Sequence, residues 1–279
     1  MAVRAAVEAL LREKKLDRTL TSALPERLGE DAVSPLGIST LDLGLAGGLP
    51  RGQVSEVVGP ASSGRTSLVW AAIGAATRRG EYVALVDTFD RFDPPTAAAC
   101  GIDLSHLLWV RGQPISRTTG ALDPAWLPGV RAVGGPGTLV ERVIDRALKS
   151  LNLLVQSGVC TLVVVDVIDV PAVALRRLPA ATWFRIERAI EGQDTAVVIL
   201  ASTPVARSTG GRSIALGAEL PTRSALPSSN ALPSRGALWK GEHDRTRRLS
   251  GVRTSVGISA ARWSSTRHVE IDTVTINAV

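Results

Sequence analysis

Gln53-Val54-Ser55-Glu56-Val57-Val58-Gly59-Pro60-Ala61-Ser62-Ser63-Gly64-Arg65-Thr66-Ser67 is the stretch whose reading decides the fold. Gln53 to Val58 has the short, largely β-branched composition of a strand, and Gly64 to Arg79 has the pattern of a helix. Between them runs G-x-x-x-x-G-x-T, the spacing of a phosphate loop. Glycines let backbone N–H groups curl around phosphate oxygens, and the helix N-terminus adds a favourable dipole. The candidate nucleotide-binding residues are therefore Gly59, Ser62, Ser63, Gly64, Arg65, Thr66 and Ser67, with the Thr66 hydroxyl placed to ligate Mg²⁺. Position 65 departs from the pattern, because arginine stands where a lysine belongs. A guanidinium keeps the charge but is planar and wide, so it does not fit between terminal phosphates as a compact ammonium does. For these residues alone, a glycine-rich turn with no nucleotide role is the competing reading.

Outward from the loop a strand–helix rhythm continues. Tyr82 to Val86 and Leu107 to Val110 read as strands, and Thr138 with Glu141 forms a capping box for a helix to about Gln156. Thr161 to Val165 reads as a strand buried on both faces, Ala180 to Glu191 as a helix and Ala196 to Leu200 as a strand. This alternation predicts an α/β fold with a mostly parallel central sheet flanked by helices. Residues Gly112 to Gly137 read as a loop, and beyond Ser208 the pattern dissolves, with Gly217 to Gly241 irregular. Arg253 to Ser259 and His268 to Ile276 read as two edge strands. At the other end, Val3, Ala6, Val7, Leu10 and Leu11 give Ala2 to Lys15 an amphipathic helical pattern, followed by a turn-rich linker. The expected organisation is an N-terminal helix and linker over 1–34, a core over 35–216 and a basic segment with edge strands over 217–279.

Composition agrees with one packed domain: 45% of residues are hydrophobic and 21% charged. Cys100 and Cys160 lie in apolar surroundings without metal-ligand spacing and read as reduced core thiols. With no secretion signal and no apolar run long enough for a membrane span, a cytoplasmic protein is expected. The net charge of +6 is concentrated at one end: residues 205–279 hold eleven basic and five acidic side chains. Arg245, Arg247, Arg248, Arg253, Arg262 and Arg267, interleaved with Trp239 and Trp263, suit phosphate neutralisation and base stacking. A solvated basic face over core tryptophans, or an acidic protein partner, fits the same residues.

From Gly37 through Pro94 the chain strongly resembles the RecA recombinase family. The likeness is carried by Ser39-Thr40-Leu41-Asp42, the Gly47-Gly48-Leu49-Pro50-Arg51-Gly52 turn and the loop from Gly59. Asp87 to Pro94, Gly101-Ile102-Asp103 and Leu107-Leu108 continue it, and weaker likeness reaches Asp166 and the Gly210-Gly211 turn. The resemblance implies ATP or ADP with Mg²⁺ in the loop and Asp166 orienting the metal together with Thr66. It also implies a water-activating glutamate two residues after Asp87, where this chain has Phe89, a ring that cannot accept a proton. Asp90 would point to the opposite side of an extended backbone. Ala201 to Thr209 is too short for the DNA-inserting loop of that family and lacks its glutamine, with Thr203 near that place.

A RecA-like core with an eroded site and an arginine-rich tail is most similar to the ImuA translesion-mutagenesis accessory proteins. That likeness implies action in SOS-induced translesion synthesis beside an ImuB-like scaffold and an error-prone DNA polymerase, with RecA, DNA or further copies of the chain as other partners. Two alternatives stand beside it. One is an active DNA-dependent ATPase using Asp87 or Asp90 as the base. The other is a structural capper or modulator of RecA filaments docking through the N-terminal helix.

Overall fold

The structure, a computed structural model, describes residues 32–112, 139–206, 210–217, 235–240, 248–261 and 263–274. The predicted helix over Ala2 to Lys15, the 112–137 loop beyond Gly112 and the Thr138 cap lie outside the described residues.

Two short strands, β1 (Val33–Ser34) and β2 (Leu49–Pro50), pair antiparallel around helix α1 (Ser39–Gly44). The chain then runs through β3 (Val54–Val58), α2 (Arg65–Arg78), β4 (Val83–Asp87), α3 (Pro94–Ala99) and β5 (Leu107–Arg111). After it come α4 (Leu139–Ser157), β6 (Leu162–Asp166), α5 (Ala172–Arg176), α6 (Ala180–Ile190) and β7 (Ala196–Ala201). Strands β8 (Ser213–Leu216), β9 (Arg235–Lys240), β10 (Arg248–Ser259) and β11 (Arg267–Val274) complete the main sheet.

The main sheet has the order β11-β10-β8-β3-β7-β6-β4-β5, with β9 also pairing β10. From β8 to β5 all pairs are parallel, whereas β10 is antiparallel to β8, β9 and β11. The α/β fold with a mostly parallel sheet is thus the one expected. Parallel strands buried on both faces need apolar side chains at every position, and β6 and β7 supply them. Leu162, Val164, Val198 and Leu200 join the core on the α2 side; Val163, Val165, Val197 and Ile199 join the one under α4 and α6.

Several elements differ from the expectation. Helix α3 is a short helix that composition hides, because Pro94 and Pro95 suggest a turn; proline fits a first helical turn, and the Asp93 side chain caps it by accepting from the Thr96 amide. Strand β8 lies in the stretch read as patternless, and β9 falls within the segment read as irregular. Both owe their conformation to pairing with β3 or β10 more than to local periodicity. Cys160 is buried, and burial pushes its thiol up, but Cys100 ends α3 exposed and is not a core thiol.

Candidate functional site

The topology brings the functional candidates to one edge. Strand β3 leads through α2 to β4, three sheet positions away, and β6 and β7 later fill the gap. The carboxyl ends of β4 and β6 therefore open beside the loop after β3, where open α/β sheets bind ligands. Register pairs Asp87 with Asp166 and Asp166 with Leu200. By strand alternation both aspartates face the α2 side of the sheet.

The loop has the curled backbone that the spacing predicts. Ser62 and Gly64 have φ of 59° and 88°, and Gly64 is the left-handed residue from which the 14-residue α2 departs. Gly59 is fixed by space: a Cβ there would stand 2.6 Å from Ser63 Oγ and 2.9 Å from the Leu216 carbonyl oxygen. Thr254 of β10 donates its hydroxyl to the Ser63 carbonyl, so the C-terminal strands buttress the loop.

Arg65 closes the loop on itself. Its guanidinium is buried and donates to the Gly59 carbonyl at the loop's start. Burial lowers its pKa, opposed by the negative charges of Asp166 and Asp169. Across from it, Asp166 accepts the Ile168 amide at 2.9 Å. Desolvation, reinforced by Asp87 and Asp169, pushes its carboxyl up to about 6 against the pull of the Ile168 amide and Arg65. Thr66, Trp70, Asp87, Arg91, Asp166 and Asp169 line one pocket of about 170 Å³. Of the predicted nucleotide and metal residues, the structure thus brings Thr66 and Asp166 to one pocket; Arg65 lies outside its lining but feels the charge of Asp166 and Asp169, and Thr66 and Ser67 are both exposed.

The carboxylates that could replace a missing glutamate are otherwise engaged. Asp87 is buried and accepts from Arg91 N at 2.9 Å, Phe92 N at 2.8 Å and Trp109 Nε1 at 3.2 Å. Asp90 is not on an extended backbone: it sits in a turn with φ 57° and takes both Arg111 N–H arms at 2.9 and 2.8 Å. Those bonds hold its carboxyl below the ordinary range. Phe89 is 7% exposed and packs in the core beneath α4, on the side of the sheet away from α2.

Sequence reading missed Asp169, which pairs with Arg91 at 2.8 Å, and the aromatic wall of Trp70 and Phe92. The spacing of Asp169 three residues after Asp166 was the available signal. It also missed Glu56, a buried carboxylate on β3 that accepts the Val205 and Ala206 amides at 2.9 Å each and the Ser213 hydroxyl at 2.7 Å. That clamp ties down the short connection after β7.

The proposed basic surface is only partly described. Arg245, Arg247 and Arg262 lie outside the described residues, and of Arg248 only the strand position is known. Arg253 is spent on Asp272 across β10 and β11 at 2.8 Å. Arg267 lies 4.0 Å over the Trp263 ring, with Arg212 at 4.7 Å, and donates to the Gly44 carbonyl. Among the described residues no group of three or more His, Cys, Asp or Glu could hold a metal, and no helix is long and apolar enough to cross a membrane.

A strand, a left-handed glycine turn and a helix, with two strand-end aspartates alongside, define a P-loop α/β domain. Residues 14–122 match the RecA N-terminal domain family. The chain is 50% identical over 74 residues to Protein RecA of Prochlorococcus marinus, a match covering 26% of this chain and 20% of that protein. It is 34% identical over 158 residues to Protein RecA of Clavibacter michiganensis, covering 54% of this chain and 36% of that protein. Over this region the chain is RecA-like, and the matches span about a fifth to a third of the length of these relatives.

Proposed function

We propose that this chain is a non-motor RecA-like accessory protein of SOS-induced translesion DNA synthesis and mutagenesis, similar to the ImuA proteins. It acts by binding partners, namely an ImuB-like scaffold, an error-prone polymerase or RecA, and DNA through its basic end, rather than by turning over ATP. The observation that carries this reading is the buried Arg65 guanidinium bonded to the loop's own Gly59 carbonyl. A cation folded into the cradle is not extended toward a γ-phosphate, and Phe89 lies away from the pocket. The Glu56 clamp gives a second support, since it holds Val205 and Ala206 to the sheet where a DNA-inserting loop would have to leave it.

The residues fit ATP or ADP with Mg²⁺ as a static ligand. Ser63 Oγ is buried with no hydrogen-bond partner among the described residues, and Thr66 and Asp166 line one pocket. A nucleotide there would be held by Gly59 to Ser67, with Thr66 and Asp166 at the metal; the metal would supply charge neutralisation for the phosphates. Asp166 must give up its proton to serve, so proton and metal would compete for its carboxylate. The test is calorimetric titration with ATP and ADP plus Mg²⁺ beside ATP turnover with and without single-stranded DNA. The expected result is no DNA-stimulated turnover, for the natural chain and for Arg65→Lys alike. DNA-stimulated turnover at the rate of an ordinary recombinase, abolished by Asp166→Ala, would establish the ATPase alternative instead.

A further inference from the structure

We infer that the trough between α4 and α6 docks an amphipathic helix of a partner protein that carries carboxylates along the flanks of its apolar stripe. This trough is a cavity of about 860 Å³ on the side of the sheet away from α2, remote from the phosphate loop. It is built by two helix faces: α4 contributes Glu141, Asp145, Leu148, Asn152 and Gln156 at three- and four-residue intervals, and α6 contributes Thr182, Arg185, Ile186 and Ala189. The floor is apolar, made by Ile144, Leu148, Leu178, Ile186 and Ala189, of which Leu148, Leu178 and Ala189 are only half-buried. The same helical layer leaves Leu153, Val173 and Phe184 each more than half exposed. An open apolar floor set between polar rims is the arrangement that a partner helix can enter.

The shape and the charge choose the occupant. From Glu141 to Gln156 the α4 wall runs about four turns, on the order of 22 Å, which suits the anchors of a helix laid lengthwise. Asp145 is neutralised by Lys149 at 2.7 Å, and Arg188 reaches Glu191 at 3.6 Å. Arg177 and Arg185 have no carboxylate partner among the described residues, and the lining holds Lys149, Arg177, Arg185 and Arg188 against Glu141 and Asp145, so the rim is net positive and an acidic helix complements it. Nucleic acid fits poorly, because among the described residues no Trp, Tyr or Phe lines the trough to stack a base. The chain's own residues 2–15 fit poorly too, since Arg4, Arg12, Lys14 and Lys15 outnumber Glu8 and Glu13. A second copy would bring one basic rim against another.

The experiment uses the full chain and three fluorescein-labelled probes: an 18-residue helix with a leucine stripe flanked by glutamates, the same helix flanked by lysines, and a peptide of residues 1–18. Anisotropy titrations should show the glutamate helix binding at least tenfold tighter than the other two. Binding should weaken at least tenfold in Arg177→Glu/Arg185→Glu, both exposed positions, and in raised salt. Leu148→Glu, in the floor, should abolish it, and hydrogen exchange should place the protection between residues 141 and 189. Binding to none of the probes, equal binding of both flank types, preference for residues 1–18, or self-association lost in the arginine variant would each overturn the inference. Nucleotide titration reads a different site, so the outcome here and that of the proposed function are separable.

Discussion

Replacing Asp87 separates a structural carboxylate from a general base. Its two oxygens accept three N–H groups, those of Arg91, Phe92 and the Trp109 indole, at 2.9, 2.8 and 3.2 Å. In Asp87→Ala all three lose their acceptor. An unsatisfied buried donor costs about 1–3 kcal/mol; the Phe92 amide and the half-buried indole carry most of this, while the Arg91 amide, near solvent, costs least. Removing the charge also relieves repulsion on Asp166, which offsets part of the loss. The expected net destabilisation is about 3 kcal/mol, a fall in melting temperature of about 6–12 °C for a chain of this size. Asp87→Asn keeps one accepting oxygen and should lose about half as much. Thermal and urea unfolding followed by circular dichroism and tryptophan emission give both numbers. A melting temperature within about 2 °C of the natural chain for Asp87→Ala would refute the structural role and return Asp87 to the candidates for catalysis.

Burial pushes the Asp166 carboxyl up from 3.8 to about 6. Its ionisation thus opposes folding: the protonated form is favoured in the folded chain, and stability from this group is lost as pH rises from about 4 through about 6. Asp166→Asn should be more stable than the natural chain, the gain growing across that window to on the order of 3 kcal/mol at pH 7, as read from urea midpoints at several pH values. Phe89→Glu should fail to restore hydrolysis and should instead destabilise by about 3–5 kcal/mol, because it buries an unpaired carboxylate under α4; recovered ATP turnover would contradict the placement. Glu56→Ala strands two buried-side amides and a hydroxyl, and should cost about 2–4 kcal/mol while raising hydrogen exchange at Val205 and Ala206.

What the sequence made legible follows physical lines. The parallel core was readable because β4, β6 and β7 are apolar at nearly every position, as burial on both faces favours, whereas β3, with buried Ser55 and Glu56, was read from the loop it leads into. The loop was readable because Gly59 and Gly64 answer to local constraints, a close approach and a left-handed turn, that spacing alone betrays. Strands β8 and β9 were not, since pairing to β3 and β10 decides them and no local period records it. The extended backbone expected at Asp90 failed for a related reason: a turn held by the Asp87 carboxylate breaks the alternation on which that reading relied. Asp169, Glu56 and the trough could not be found by motif at all, because their partners lie between 78 and 157 residues away or belong to two separate helices.

The two departures at positions 65 and 89 belong to separate packing arrangements on opposite faces of the sheet. Phe89 belongs to the apolar layer that seats α4, and α4 forms one wall of the trough; a carboxylate at 89 would be drawn out of that layer and would loosen the helix above it. On the other face, the loop needs a cation against Asp166 and Asp169, and a guanidinium long enough to reach the Gly59 carbonyl satisfies that need without a phosphate. Restoring lysine at 65 therefore exchanges a loop held by its own residues for one that leans on a ligand, and restoring glutamate at 89 undermines the helical face. The double variant Arg65→Lys/Phe89→Glu should accordingly combine both losses additively, since the sites sit on opposite faces of the sheet, and should gain no turnover. Measurable DNA-stimulated hydrolysis in that variant, with α4 still intact by hydrogen exchange, would show that the two positions are an eroded catalytic pair and not parts of two separate packing arrangements.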